Sequence, residues 1–133
     1  MTETVKPPIL VVDDNPGNLK LISYVLEKGG YDVRTAVDAE EALRVLQGFR
    51  PRLILMDLQL PGMGGLELTR RIKADPATSG VIVVAVTAYA MKGDKERALA
   101  AGCDGYVTKP INTRTLATSI AHFIEVDPTR GSS

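Results

Sequence analysis

Three aspartates, a threonine and a lysine carry the chemistry that this sequence offers. Asp13 and Asp14 close the apolar run Pro8-Ile9-Leu10-Val11-Val12, and Asp57 closes Leu53-Ile54-Leu55-Met56. Thr87 ends a run that begins at Val81, and Lys109 follows the short stretch Gly105–Thr108. Apolar runs rich in β-branched residues and bounded by turn signals are the pattern of strands buried on both faces of a parallel sheet. Charges at the ends of such runs stand at the carboxyl edge of the sheet, where open α/β sheets bind ligands. Two like charges ~4 Å apart repel by ~4 kcal/mol at an effective dielectric of about 20. Three carboxylates gathered there therefore call for a cation or a proton.

Oxygen-only ligands suit a hard ion, and Mg²⁺ takes one or two carboxylates together with waters and phosphate oxygens. The expected protein ligands are Asp14 and Asp57 directly, the backbone carbonyl of Gln59, and Asp13 through water. A carboxylate is also a nucleophile toward phosphorus, giving an aspartyl phosphate. Asp57 is the expected nucleophile, with the Thr87 hydroxyl donating to one phosphoryl oxygen and Lys109 pairing with another. Such catalysis consists of positioning and charge stabilisation.

Five strands alternating with five helices must bring these residues together. The expected strands are Ile9–Val12, Asp32–Ala36, Leu53–Asp57, Val81–Thr87 and Gly105–Thr108. The first helix opens at Pro16, shows apolar spacing at Leu19, Ile22, Val25 and Leu26, and stops at Gly29-Gly30. Asp38 is the expected cap of a second helix, and a third runs to about Ala74 after a glycine-rich loop. The alanine-rich segment Lys92–Ala101 forms a fourth, ended by Gly102. Asn112 or Thr113 caps a fifth, with Leu116, Ile120 and Phe123 inward. The alternation predicts an α/β, doubly wound, flavodoxin-like parallel sheet. The order 2-1-3-4-5 puts strands 1 and 3 side by side. Asp13 and Asp14 then stand beside Asp57, with Thr87 next to it and Lys109 reaching back two strands.

The whole chain bounds the rest. At 133 residues it is long enough for one domain with a real core. Sixteen basic and sixteen acidic side chains leave no basic excess for direct nucleic-acid binding. No apolar stretch reaches the ~18 residues that would predict membrane insertion, and residues 1–6 lack a signal-peptide core. A single cysteine, Cys103, fits a reducing, cytoplasmic location. The expected layout is a disordered N-terminus over 1–7, a domain over 8–126 and a disordered tail over 127–133, with no second domain. Met1 and the polar C-terminus favour a stand-alone chain.

The sequence resembles the receiver domains of bacterial two-component response regulators over roughly Pro8 to Phe123. The resemblance rests on Val12-Asp13-Asp14-Asn15, Leu55-Met56-Asp57-Leu58-Gln59-Leu60-Pro61, Val86-Thr87-Ala88 and Lys109-Pro110, in order and each at a strand's end. The stretch Thr87-Ala88-Tyr89-Ala90-Met91-Lys92-Gly93-Asp94, with Gly102-Cys103-Asp104-Gly105-Tyr106, is similar to stand-alone receivers of the cell-cycle type and to receivers of hybrid sensor kinases. The resemblance implies Mg²⁺-dependent transfer to Asp57 from a phosphohistidine on a histidine kinase or histidine phosphotransfer protein. It implies slow self-hydrolysis, with no turnover of an independent substrate, and a cis bond before Pro110. It further implies a switch in which Thr87 turns toward the phosphoryl group and Tyr106 moves inward. The helix 4–strand 5–helix 5 surface would then reshape for a downstream protein partner. Gly64 departs from the pattern, since many members carry aspartate there.

Taken singly, these residues have plainer uses. Paired aspartates cap turns, Thr87 is an ordinary strand residue, Lys109 a surface lysine and Tyr106 core filler. Asn15 reads as the cap of the first helix, Cys103 as a small packed hydrophobe and His122 as an exposed helix residue. A hydrolase or mutase with an aspartate nucleophile needs a second carboxylate two residues on, and position 59 is Gln. A flavin or nucleotide carrier needs a glycine-rich loop after strand 1, where Asp13-Asp14-Asn15-Pro16 stands. The remaining alternative is a receiver-like module that binds partners without phosphorylation.

Overall fold

Valine, isoleucine and leucine fill three of the strands so completely that neither face tolerates water, and the computed structural model puts those three at the centre of the sheet. It describes residues 7–60, 62–87, 92–109 and 111–125. The central strands are β1 (Pro8–Val12), β3 (Leu53–Asp57) and β4 (Ile82–Thr87); β3 and β4 are buried at every position. The more polar β2 (Asp32–Ala36) and the short β5 (Gly105–Thr108) form the edges. Asp32, Arg34 and Thr35 of β2 are exposed, which suits an edge that must not recruit another chain. All pairings are parallel and the order is β2-β1-β3-β4-β5, as the alternation predicted.

Side chains alternate across a strand, so the sheet divides the core in two. Leu10, Val12, Ile54, Met56, Val83 and Ala85 face α2 (Ala39–Val45), α3 (Gly65–Ala74) and α4 (Lys92–Ala101). Ile9, Val11, Leu53, Leu55, Ile82, Val84 and Val86 face α1 (Pro16–Lys28) and α5 (Leu116–Glu125). The helix starts follow capping chemistry. Asn15 accepts the Asn18 N–H at 3.0 Å, with Pro16 at the first helical position. Asp38 accepts the Glu41 N–H at 2.8 Å, while the Glu41 carboxylate takes the Val37 N–H.

Two expectations shift. The fourth strand begins at Ile82 because the Val81 N–H is drawn into the preceding turn by the Thr78 carbonyl, at 3.1 Å. The fifth helix begins at Leu116. Asn112 instead builds a turn ahead of it, its side chain accepting the Arg114 N–H and its carbonyl the Thr115 N–H. Thr115 then accepts the Ser119 N–H at 2.9 Å. Leu116 and Ile120 point inward as expected, Ile124 joins them, and Phe123 packs against the same core while half-buried. Its ring lies where a Cβ on Gly105 would stand, so β5 must start with glycine. The expected cis bond before Pro110 and, Pro7 apart, the expected loose ends at 1–7 and 127–133 fall outside the described residues. No described helix is long and apolar enough to cross a membrane.

Candidate functional site

The same alternation that sorts the core delivers the site. Asp13 continues the Ile9–Val11 face of β1, Asp57 the Leu53–Leu55 face of β3, and Lys109 the Val107 face of β5. All three therefore belong to the α1–α5 side. Thr87 continues the Val83–Ala85 face, on the opposite side, which Tyr106 also joins. Register sets their height. Val12 pairs with Met56, so Asp13 and Asp57 come level one residue later, and Asp57 pairs with Val86. The backbone ladder runs past the strand ends: Asp13 N–H to Ala36 at 3.1 Å, Leu58 N–H to Val86 at 3.0 Å and Lys109 N–H to Thr87 at 2.7 Å. The site residues thus hang from a rigid frame.

One carboxylate oxygen from each of Asp13, Asp14 and Asp57 lies within 4.8 Å of the others. Asp57 is 2% exposed and Asp13 3%, whereas Asp14 is open to solvent. The Lys109 Nζ reaches across β4 to within 3.2 Å of Asp57 Oδ2. Asp57 Oδ1 accepts the Gln59 N–H at 2.9 Å. Asp13 Oδ1 accepts the Asn15 N–H at 2.8 Å, and its Oδ2 faces the Asn18 amide nitrogen at 3.5 Å. The sequence reading of Asp13, Asp14, Asp57 and Lys109 as one group holds in space. Thr87 is buried at the end of β4, and Tyr106 packs half-buried against the α3 side of the core. Gln59 is exposed beside Asp57.

Burial pushes the Asp13 carboxyl above its ordinary value; the Asn15 N–H works against this, the Asp57 charge adds to it, and Lys109 and Asn18 pull it back. Among the described residues, the Lys109 ammonium stands at Asp57 within a group of three carboxylates. An all-oxygen, anion-rich group of this kind fits a hard divalent cation.

The sequence reading missed Gly65. A Cβ there would strike the carbonyl of Asp57 and come within 2.9 Å of the Leu58 Cα. Only glycine lets α3 start directly against the end of β3. Its neighbour Gly64 has φ +84° and caps α3 without a side-chain bond, so the departure at this position matches a backbone that aspartate does not readily adopt. We predict that Gly65→Ala lowers stability by about 1–3 kcal/mol, the usual cost of overpacking. A lowered denaturant midpoint with an unchanged slope checks this; an unaltered midpoint refutes it.

Other expectations hold. Cys103 is buried, 3.9 Å from the Thr69 hydroxyl, and its thiol is pushed up by burial. Lys73, brought near by its 2.9 Å ion pair with Asp104, is a cation that the sequence did not reveal beside it. His122 is exposed on α5.

Comparison with known proteins agrees with this geometry. The family model described as response regulator receiver domain matches residues 9–121. The polar-differentiation response regulator DivK of Brucella anthropi is 40% identical over 116 residues, covering 87% of this chain and 94% of that one. A CheY-like receiver domain protein from Methanospirillum hungatei superposes with a TM-score of 0.85 at 32% identity, covering 96% of this chain and 99% of the other. The receiver domain of a Pseudomonas aeruginosa sensor histidine kinase superposes with a TM-score of 0.82 at 36% identity, covering 91% and 99%. That structure holds a magnesium ion coordinated in its active-site cleft. With its fold, its acidic edge and its sequence in accord over nearly the whole described length, this chain belongs to the response regulator receiver domain family.

Proposed function

We propose that Asp57 accepts a phosphoryl group from a phosphohistidine on a histidine kinase or phosphotransfer protein, with Mg²⁺ as cofactor. The observation that carries this is a carboxylate, 2% exposed, held 3.2 Å from a lysine amine amid two further carboxylates. Asp14, Asp57 and the Gln59 carbonyl would hold the metal, with Asp13 acting through water. Bound there, Mg²⁺ supplies positive charge opposite the incoming phosphoryl oxygens.

The protein's own residues do the rest. The Gln59 N–H ties Asp57 Oδ1, which leaves Oδ2 as the nucleophile. Oδ2 forms the new bond to phosphorus as the phosphorus–nitrogen bond breaks and its electron pair returns to the donor imidazole. The Lys109 amine, already beside Oδ2, then pairs with a phosphoryl oxygen. Thr87 turns its hydroxyl toward another, and Tyr106 follows into the space released between β4 and β5. The group adds about −1.5 to −2 charge and three acceptors, enough to bias such a two-state element. The surface of α4, β5 and α5, where Leu99 is 49% exposed, then meets the downstream partner. Water later releases phosphate slowly. We assign the protein to the cytoplasm and expect protein partners rather than nucleic acid.

The donor needs a landing place beside Oδ2. A hollow of about 370 Å³ lined by Asn18, Leu21, Ile22, Lys109, Ile111 and Thr113 opens on the lysine's side of the site, with Leu21 50% exposed. An isolated exposed apolar residue is ordinary, but one on the rim of an apolar hollow that contains the site's lysine suits a partner helix. Leu21→Arg is expected to slow transfer from a phosphohistidine donor by about tenfold or more, the loss of one interface hot spot. Reaction with acetyl phosphate should be unaffected, and equal slowing with both donors would refute this docking face.

Incubation with a phosphorylated donor and Mg²⁺, followed by intact mass, tests the whole reading. One acid-labile phosphoryl adduct is expected, and none in EDTA. An unmodified mass with phosphohistidine and small-molecule donors alike would favour the phosphorylation-independent binding module.

A further inference from the structure

The structure assigns to Asn18 a positioning role: its side-chain amide orients the Asp13 carboxylate for the metal. This rests on the metal-dependent reading above. Asn18 is the third residue of α1, and its N–H is fixed by the Asn15 cap at 3.0 Å. From there its amide nitrogen lies 3.5 Å from Asp13 Oδ2, while the Asn15 N–H holds Oδ1 at 2.8 Å. Both oxygens of Asp13 thus face donors from one helix start, in series: Asn15 fixes Asn18, and both fix Asp13.

The amide's orientation follows from charge. An ionised carboxylate only accepts hydrogen bonds, so the nitrogen, not the oxygen, must face it. A neutral donor suits this place. A lysine here would compete with the cation for the carboxylates, and a further carboxylate would add to their repulsion. Asn18 is also half-buried and lines the hollow that contains Lys109, so it stands at the entrance to the acidic group. Donors behind a metal-binding group set its direction and basicity, and losing one costs about 10–100-fold in metal affinity.

The test is Mg²⁺ binding by calorimetry on the purified full chain, without phosphodonor. Asn18→Leu keeps the approximate shape and removes the donor; it should weaken Mg²⁺ binding by about tenfold. Asn18→Gln carries the same amide on a longer arm and should bind much closer to wild type. Mg²⁺ affinity unchanged in Asn18→Leu overturns the inference, as does equal weakening by both variants, which would mark a packing effect. Those results leave the receiver reading intact, whereas a wild-type chain that binds no Mg²⁺ or takes no phosphoryl group sinks that reading itself.

Discussion

Asp57→Asn is expected to leave the protein folded and wholly unable to form an acyl phosphate. The substitution keeps the shape of the side chain and an oxygen to accept the Gln59 N–H, now 2.9 Å from Oδ1. It removes the nucleophilic oxygen that faces Lys109 at 3.2 Å. Two electrostatic changes oppose each other in the metal-free fold. Asp13 loses a like-charged neighbour and Lys109 loses its partner, so the net effect on stability in EDTA is about 1 kcal/mol or less. Mg²⁺ binding weakens because one carboxylate of three is gone. The neighbours are not expected to substitute as acceptors: Asp13 Oδ1 is bound by the Asn15 N–H, and among the described residues the lysine contact belongs to Asp57. Intact mass after treatment with a small-molecule donor and Mg²⁺ reads the result. An adduct that survives at Asp13 or Asp14 would refute the assignment of the acceptor.

The site was legible because strand ends are legible. Apolar runs that stop at Asp13, Asp57 and Thr87 fix both the sheet and the height of its edge, and one strand order suffices to bring them together. The lysine's reach across two strands follows from that order alone. What escaped the reading depends on close approach, which sequence periodicity does not encode. Gly65 looked like one glycine among several in a loop, yet only the folded chain shows the Asp57 backbone occupying the place of its Cβ. Asn18 read as an unremarked helix residue because its contact with Asp13 spans a cap and a turn. The start of the fifth helix was misplaced for a related reason. Asn112 has the right side chain for a cap and spends it on a turn three residues early. Ile124 was overlooked although it shares the core with Leu116, Ile120 and the half-buried Phe123, because it stands at the last turn of the helix.

Lys109→Met should slow phosphorylation of Asp57 by about 10²–10³-fold, the cost of losing one preorganised charge-stabilising donor. Methionine keeps much of the apolar stem, so the packing of Val107 and Ile111 on the same side of the sheet is spared and the ammonium alone is removed. The same change destabilises the metal-free protein. Asp57 and Asp13 are 2% and 3% exposed and lose the ammonium that stands 3.2 Å from Asp57. Stripping one partner from a fully buried pair costs about 3–5 kcal/mol. The Lys109 side chain is 25% exposed, which screens the pair, so about 1–3 kcal/mol is expected here. The pH dependence has a definite sign. Asp13 already titrates above its ordinary value through burial, and Lys109 is among the groups that pull it down. Without the lysine it rises further. A carboxyl whose folded value exceeds its unfolded value destabilises the fold when ionised, and the penalty fades as pH falls through the folded value toward the unfolded one, near 3.9. The gap in stability between Lys109→Met and wild type should therefore be widest at neutral pH and close toward pH ~4. Saturating Mg²⁺ should narrow it at neutral pH, because the cation replaces the missing positive charge without restoring the lysine's contact with the phosphoryl group. Denaturation curves in EDTA and in Mg²⁺ across that range measure it. A gap that widens on acidification, or a phosphorylation rate equal to wild type, would show that Lys109 neither balances the carboxylates nor serves the transfer.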